Sequence, residues 1–229
     1  MEGDRVIYRY HNLFREFLQQ KLRREQPQTY RILHSDAGSI FERQDQWHLA
    51  IAHYLAIDAY ANALKIIKNV GESFLKAGKW QTVSRWIQAL PEKTRSGEPV
   101  LALLEAESLI HLGQADKAMQ LLNVLIGRID MSRDWLCAGK ALSWRSAAFR
   151  LTGHFTEATD DIKNSINILK QNNGPADVLG DAYRRLGAIH AEQGRLSQAE
   201  KYMKRSLKLF ISVFDVGQIA EAYNSLGIV

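Results

Sequence analysis

The sequence predicts an all-α chain in which antiparallel helical hairpins stack in line into a superhelix. Three observations lead there. One small-residue pattern recurs at a regular interval. The four prolines, at 27, 91, 99 and 175, all fall between apolar-periodic segments, where helices begin or end. Strand-like alternation occurs once, in Arg5-Val-Ile-Tyr-Arg-Tyr10, and no Asn-Gly or Asp-Gly turn joins two β-branched runs.

The repeat is carried by Gly113-Gln-Ala-Asp-Lys-Ala118, Gly153-His-Phe-Thr-Glu-Ala158 and Gly194-Arg-Leu-Ser-Gln-Ala199, whose glycines lie 40 and 41 residues apart. Seven residues before each glycine stands another small residue: Ala106, Ser146 and Gly187. A glycine at the end of a helix can adopt the left-handed conformation that stops it and turns the chain. The small residue upstream and the alanine downstream let the two helices of a hairpin approach closely. Ser197 and Glu200 have the spacing of a capping box for the second helix of the last complete unit.

The template also lies upstream with poorer fidelity. Gly71 and Gly78 keep the small and turn positions, with Val83 in place of alanine. Gly38, Asp45 and Ala50 form an earlier match, in which an acidic residue tolerates the turn conformation better than most non-glycines. Turns at 45, 78, 113, 153 and 194 therefore give five units whose period lengthens from 33 to 41, with a sixth begun near Gly217. Each hairpin of such an array buries its apolar face on its neighbours, so no single central core is expected.

Composition narrows the function. At 229 residues, 46% hydrophobic and 24% charged, the chain reads as a folded protein without a membrane span. Met1-Glu-Gly-Asp lacks the features of a secretory leader, so a cytoplasmic location is expected. Cys137, the sole cysteine, excludes an internal disulfide and reads as a buried thiol among Trp135, Leu136 and Ala138. The net charge of +5 is spread along the chain and permits an acidic partner. Its densest cluster, Lys21-Leu-Arg-Arg24, reads as a solvated helix face.

No catalytic constellation emerges. Gly78-Lys79-Trp80 has neither the hydroxyl nor the upstream glycine of a P-loop. The seven histidines are dispersed without metal-ligand spacing, and His190 reads as a packed ring. Ser73 and Lys76 have the Ser-x-x-Lys spacing without its companion motifs. The chain is expected to be no enzyme, to hold no metal and to need no cofactor of its own.

Ala182-Tyr-Arg-Arg-Leu-Gly-Ala-Ile-His190, followed by Gly194-Arg-Leu-Ser-Gln-Ala-Glu200 and Tyr202, resembles a tetratricopeptide repeat (TPR), which implies a right-handed α–α superhelix. Counting from the repeat Leu-Gly, the groove-facing positions are five and two residues before the leucine site and two after it. They are Lys140, Ser143 and Ala147, then Asp181, Arg184 and Ala188, then Glu221, Asn224 and Ile228, with Trp144 beside the stripe. The expected ligand-binding set is Lys140, Ser143, Trp144, Asp181, Arg184, Glu221 and Asn224. A polar groove with an aromatic plate suits a sugar, a small acid or a peptide terminus.

Tyr8-Arg-Tyr-His-Asn-Leu-Phe-Arg-Glu-Phe-Leu18 resembles the end of the winged helix in MalT-type, LuxR-like transcription activators of the STAND ATPase class. Trp47-His-Leu-Ala-Ile-Ala-His53 and Trp86-Ile-Gln-Ala-Leu-Pro91 are similar to the first hairpins that follow the ATPase module in that family. The resemblance implies that residues 1–25 close a winged helix and residues 26–229 form a TPR-like sensor arm that ends inside a repeat. It further implies a small-molecule inducer or regulatory protein as partner and self-association as the output. ATP and magnesium would belong to an ATPase domain outside this chain, and DNA contact to a helix-turn-helix outside it. The competing expectation is a general scaffold whose groove takes a peptide, with no transcriptional role.

Overall fold

A computed structural model describes residues 11–227. Residues 5–10, where the sequence alternates like a strand, and the groove position Ile228 lie outside them. Among the described residues every regular element is a helix. The chain divides into two compact units, Met1–Ile66 and Ile67–Val229.

The first unit holds α1 (Asn12–Glu25), the hairpin of α2 (Pro27–Arg43) with α3 (Trp47–Ala56), and the start of α4 (Tyr60–Lys76), inside which the division falls. The second continues through α5 (Trp80–Gln88), the short α6 (Glu92–Ser96), α7 (Pro99–His111) and α8 (Ala115–Ile126). It ends with α9 (Trp135–Leu151), α10 (Phe155–Gln171), α11 (Ala176–Glu192), α12 (Leu196–Ser212) and α13 (Val216–Gly227). Pro27 and Pro99 sit in the first turn of their helices, and Pro91 and Pro175 are N-caps. There the missing N–H removes no helical bond.

The corners follow the spacing. Asp45, Gly78, Gly113, Gly153 and Gly194 all have positive φ, between 57° and 81°. Behind each, the next amide reaches back to a carbonyl five residues earlier, as in Arg195 to His190 at 2.9 Å and Gln46 to Phe41 at 2.9 Å. That bond satisfies a carbonyl the helix end would otherwise orphan. The turns between hairpins use the same device at Asp58, Asn173 and Phe214, where no glycine marks it. The two hairpins of α9–α12 are built from helices of 17 residues each, which is where the repeat period is longest.

Packing is serial in the second unit. One buried cluster joins Ala106, Leu122 and Ala141 from α7, α8 and α9, and another joins Ile162, Leu186 and Ile189 from α10 and α11. Close approach explains the small residues. A Cβ on Gly187 would stand 2.8 Å from Met203 Cγ across the α11/α12 hairpin. At the matching place in α9, the Ser146 hydroxyl donates to the Ala158 carbonyl at 2.6 Å.

Three expectations are corrected. The capping box does not form: α12 begins at Leu196 behind Arg195, without a side-chain cap, and Glu200 pairs with Lys204 one turn on. Gly71 makes room for Leu104 of the following hairpin rather than for its own partner helix. Cys137 is half-buried, not enclosed, because its neighbours on α9 face a cavity.

Candidate functional site

In each hairpin of the second unit the first helix carries the polar inner side chains, and the second packs behind it. The inner helices α7, α9, α11 and α13, with the end of α4, enclose a cavity of about 850 Å³. That is within the range of ligand clefts, ~300–1,000 Å³.

Of the expected residues, Lys140, Ser143, Trp144, Asp181, Arg184 and Glu221 all line this cavity. Asn224 is exposed and does not line it, because α13 turns that position outward. Ala147 is 4% exposed and belongs to the core behind the groove. Five further residues matter there and were not singled out: Trp80, Glu107, His111, Arg185 and Phe210. A signal for two of them existed. Applying the same count to α7, with Glu105 at the leucine site, gives Val100, Leu103 and Glu107, all on the wall. Arg185 precedes Leu186 as Trp144 precedes its own leucine-site residue, Arg145.

The centre of the wall is an ion-pair network on one face of α11. Asp181 accepts from Arg184 at 2.5 Å and from Arg185 at 2.8 Å, pairs that the i, i+3 and i, i+4 spacing of a helix brings together. Arg184 also lies 3.8 Å from Glu221 of α13. Burial raises the Asp181 carboxyl, yet Arg185 and Arg184 outweigh it and hold it well below the usual carboxylate range. Lys68 of α4 ties its hairpin to the next through Glu98, just before α7, at 2.9 Å, and Lys140 of α9 reaches past α7 to Glu72 of α4 at 2.6 Å. Lys76 reaches Asp215 at 3.5 Å, joining the end of α4 to the start of the last helix.

Beside this network stands an aromatic stack. Trp80 lies parallel to His111 at 4.6 Å between centroids, and His111 meets Trp144 edge-on at 6.1 Å. The Arg185 guanidinium covers Trp144 at 3.5 Å, so its charge is held by a carboxylate on one side and a π-face on the other. Burial lowers the His111 imidazole from its ordinary value and Arg185 adds to the effect.

Glu107 lies one helical turn from His111. It is half-buried and makes no ion pair or hydrogen bond among the described residues. Burial pushes its carboxyl up to about 7, against the pull of Arg185 and Lys140 and with the help of Asp181 and Glu72. Two further polar atoms on the wall are buried and unpartnered, Arg184 Nε and Gln218 Oε1. The site thus presents one spare donor, two spare acceptors and a flat aromatic surface. Among the described residues no group of three or more His, Cys, Asp or Glu could hold a metal, and no helix is long and apolar enough to cross a membrane.

Residues 1–30 match the family model of the MalT winged helix domain. Over 106 residues, 46% of this chain, the sequence is 28% identical to the HTH-type transcriptional regulator MalT of Vibrio parahaemolyticus, and equally to that of Vibrio campbellii. The aligned stretch spans 12% of those proteins' length. Among solved structures, a crystal structure of MamA superposes with a TM-score of 0.54 at 14% identity, covering 81% of this chain and 94% of MamA. MamA from Desulfovibrio magneticus gives 0.55 at 11% identity, covering 80% and 96%. The described residues therefore form an all-helical repeat array with the fold of MamA, and the sequence is similar to MalT.

Proposed function

We propose that this chain is the sensing and protein-interaction arm of a MalT-type transcription activator, and that it binds an inducer or a regulatory protein in the cavity of the second unit. The observation that carries the reading is one cavity built jointly by the inner helices of successive hairpins, in a chain whose first residues match a MalT winged helix. A ligand touching α7, α9 and α11 together favours the array curvature in which all three walls meet it, and so shifts a population between closed and assembly-competent forms. The arm itself is a binding module in the cytoplasm, not an enzyme, and takes no cofactor. ATP-dependent self-association and DNA contact belong to segments beyond it.

The competing reading is a general TPR-like scaffold with no transcriptional role, and the gene separates the two. A reading frame that continues upstream into a P-loop and downstream into a helix-turn-helix supports the activator, whereas one confined to these residues supports the scaffold. The binding half is tested by adding size-separated fractions of a cell extract, metabolites and proteins apart, to the purified chain. At a hundredfold excess over its dissociation constant a ligand should stabilise the fold by about 2.7 kcal/mol. Amide exchange should slow in α7, α9 and α11. If no fraction alters either, this chain is not the sensor.

A further inference from the structure

The charge of the cavity runs opposite to that of the chain. The sequence carries a net +5, yet eight carboxylate side chains line the cavity against six lysine and arginine side chains. Five of those six cations are already engaged: Lys68, Lys76, Lys140, Arg184 and Arg185 each hold an acid. The surplus is therefore negative, and its most enclosed member is Glu107. Its neighbours are Glu72 on α4, Lys140 on α9, and Asp181 with Arg185 on α11, with His111 on its own helix. Arg185 attracts Glu107, but the direct contacts of that guanidinium go to Asp181 and Trp144. A half-buried carboxylate without a partner has lost part of its hydration, and an incoming cation would restore some of that free energy.

The other unfilled atoms define the rest of the ligand. Arg184 Nε needs an acceptor and Gln218 Oε1 needs a donor, and both are buried in the same wall. A backbone amide supplies one of each. The stack of Trp80, His111 and Trp144 offers a flat surface for the methylenes of a long side chain and favours a cation beside it.

We propose that the cavity receives an extended segment of a partner protein, with the ammonium or guanidinium group of a Lys or Arg on that segment seated at Glu107 beside the Trp80–His111–Trp144 stack. The inference rests on the protein-binding branch of the function proposed above and names the chemistry of that partner. It reverses the expectation from net charge, since the cavity selects a basic segment rather than an acidic one.

The test uses the whole 229-residue chain and a display library of random heptapeptides, selected in parallel on the native protein and on Glu107→Gln. Peptides enriched on the native chain should share a Lys or Arg at one position. When synthesised, they should bind the variant at least tenfold more weakly, while a swap of that Lys or Arg for Gln abolishes the difference. The thermal midpoint of Glu107→Gln, equal to or above that of the native chain, shows that the variant is folded. Neutral or acidic consensus peptides, or basic ones that bind both proteins equally, overturn the assignment and leave protein binding in place. Enrichment of no peptide at all overturns it as well and leaves only the small-molecule branch of the proposed function.

Discussion

The α2/α3 hairpin of the first unit and the α11/α12 hairpin of the second are built to one plan and loaded with opposite chemistry. Each turns at a positive-φ residue, Asp45 in one and Gly194 in the other, and each lets a bulky side chain rest on a glycine of the facing helix. In α2/α3 the bulky side chain is Tyr54, over Gly38, and its hydroxyl donates to Glu42 at 2.9 Å. In α11/α12 it is Met203, over Gly187. The difference lies in what fills the polar positions. The first hairpin holds a half-buried histidine pair, His34 and His53, with their Nδ1 atoms 3.1 Å apart, Phe41 stacked on the His53 ring and Tyr30 tilted against the His34 ring. The second presents the Asp181–Arg184–Arg185 network to a cavity. A repeat frame thus fixes backbone and spacing while leaving the titration behaviour of each hairpin free.

The largest expected effect tests whether the second unit depends on its serial core. Phe210 is fully buried on α12, and a Cβ on Gly180 would stand 2.9 Å from its ring. Phe210→Ala should lower unfolding free energy by about 3–5 kcal/mol in denaturant titrations. Because the residue also lines the cavity, it should weaken ligand binding too. A cost under about 1 kcal/mol would mean that the neighbouring hairpins close over the void, contrary to dense packing.

The next contrast is in pH. Burial lowers both imidazoles of the histidine pair from 6.5, and His34 and His53 repel each other when charged. The folded first hairpin therefore binds fewer protons than its unfolded chain. Its contribution is complete above about pH 6.5 and is lost as pH falls through the lowered folded values. Glu107 does the reverse: with its carboxyl raised from 4.5 to about 7, its contribution is present below 4.5 and lost as pH rises through 7. Asp181 does not interfere in this window, since its stabilisation is lost only below the ordinary carboxylate range. Between pH 8 and 5, amide exchange corrected for intrinsic rates should accelerate in α2 and α3 and slow in α7, where the large gain from Glu107 outweighs the opposing loss from the lowered His111 imidazole. Glu107→Gln should remove the second response and raise stability at pH 8 by up to ~3 kcal/mol. If both hairpins respond in the same direction, the burial argument fails for one of them.

The smallest effect compares the corners themselves. Gly194→Ala places a side chain at a φ of 72° with no other obstruction, and should cost about 1–2 kcal/mol. Asp45→Ala, at a corner already built without glycine, should cost under ~1 kcal/mol in the same thermal unfolding assay. Equal losses would show that the acidic side chain gives Asp45 no relief.

How much of this was legible follows from the same residues. All five hairpin corners stood in the spacing because the left-handed conformation restricts residue type. Asp58, Asn173 and Phe214 escaped notice, since their conformation is imposed by the helices they join rather than chosen by glycine. Of the cavity, Lys140, Ser143, Trp144, Asp181, Arg184 and Glu221 were reached by counting along the repeat, and Glu107 would have been had the count been carried to α7. Trp80 was beyond such counting, because it starts an outer helix and reaches the wall by stacking on His111. The partial burial of a carboxylate without a partner is likewise a property of α4, α7, α9 and α11 together, which no single segment encodes.

The corner bonds carry one more implication. At each of the positive-φ corners the amide that closes the bend finds its carbonyl five residues back, so those changes of chain direction are settled within about a turn and a half of helix. Bends fixed so locally need no distant strand or terminus to wait for, and proteins dominated by short-range contacts fold quickly. A growing chain emerging from the ribosome could therefore lay down its hairpins in order, each finished before the next is synthesised.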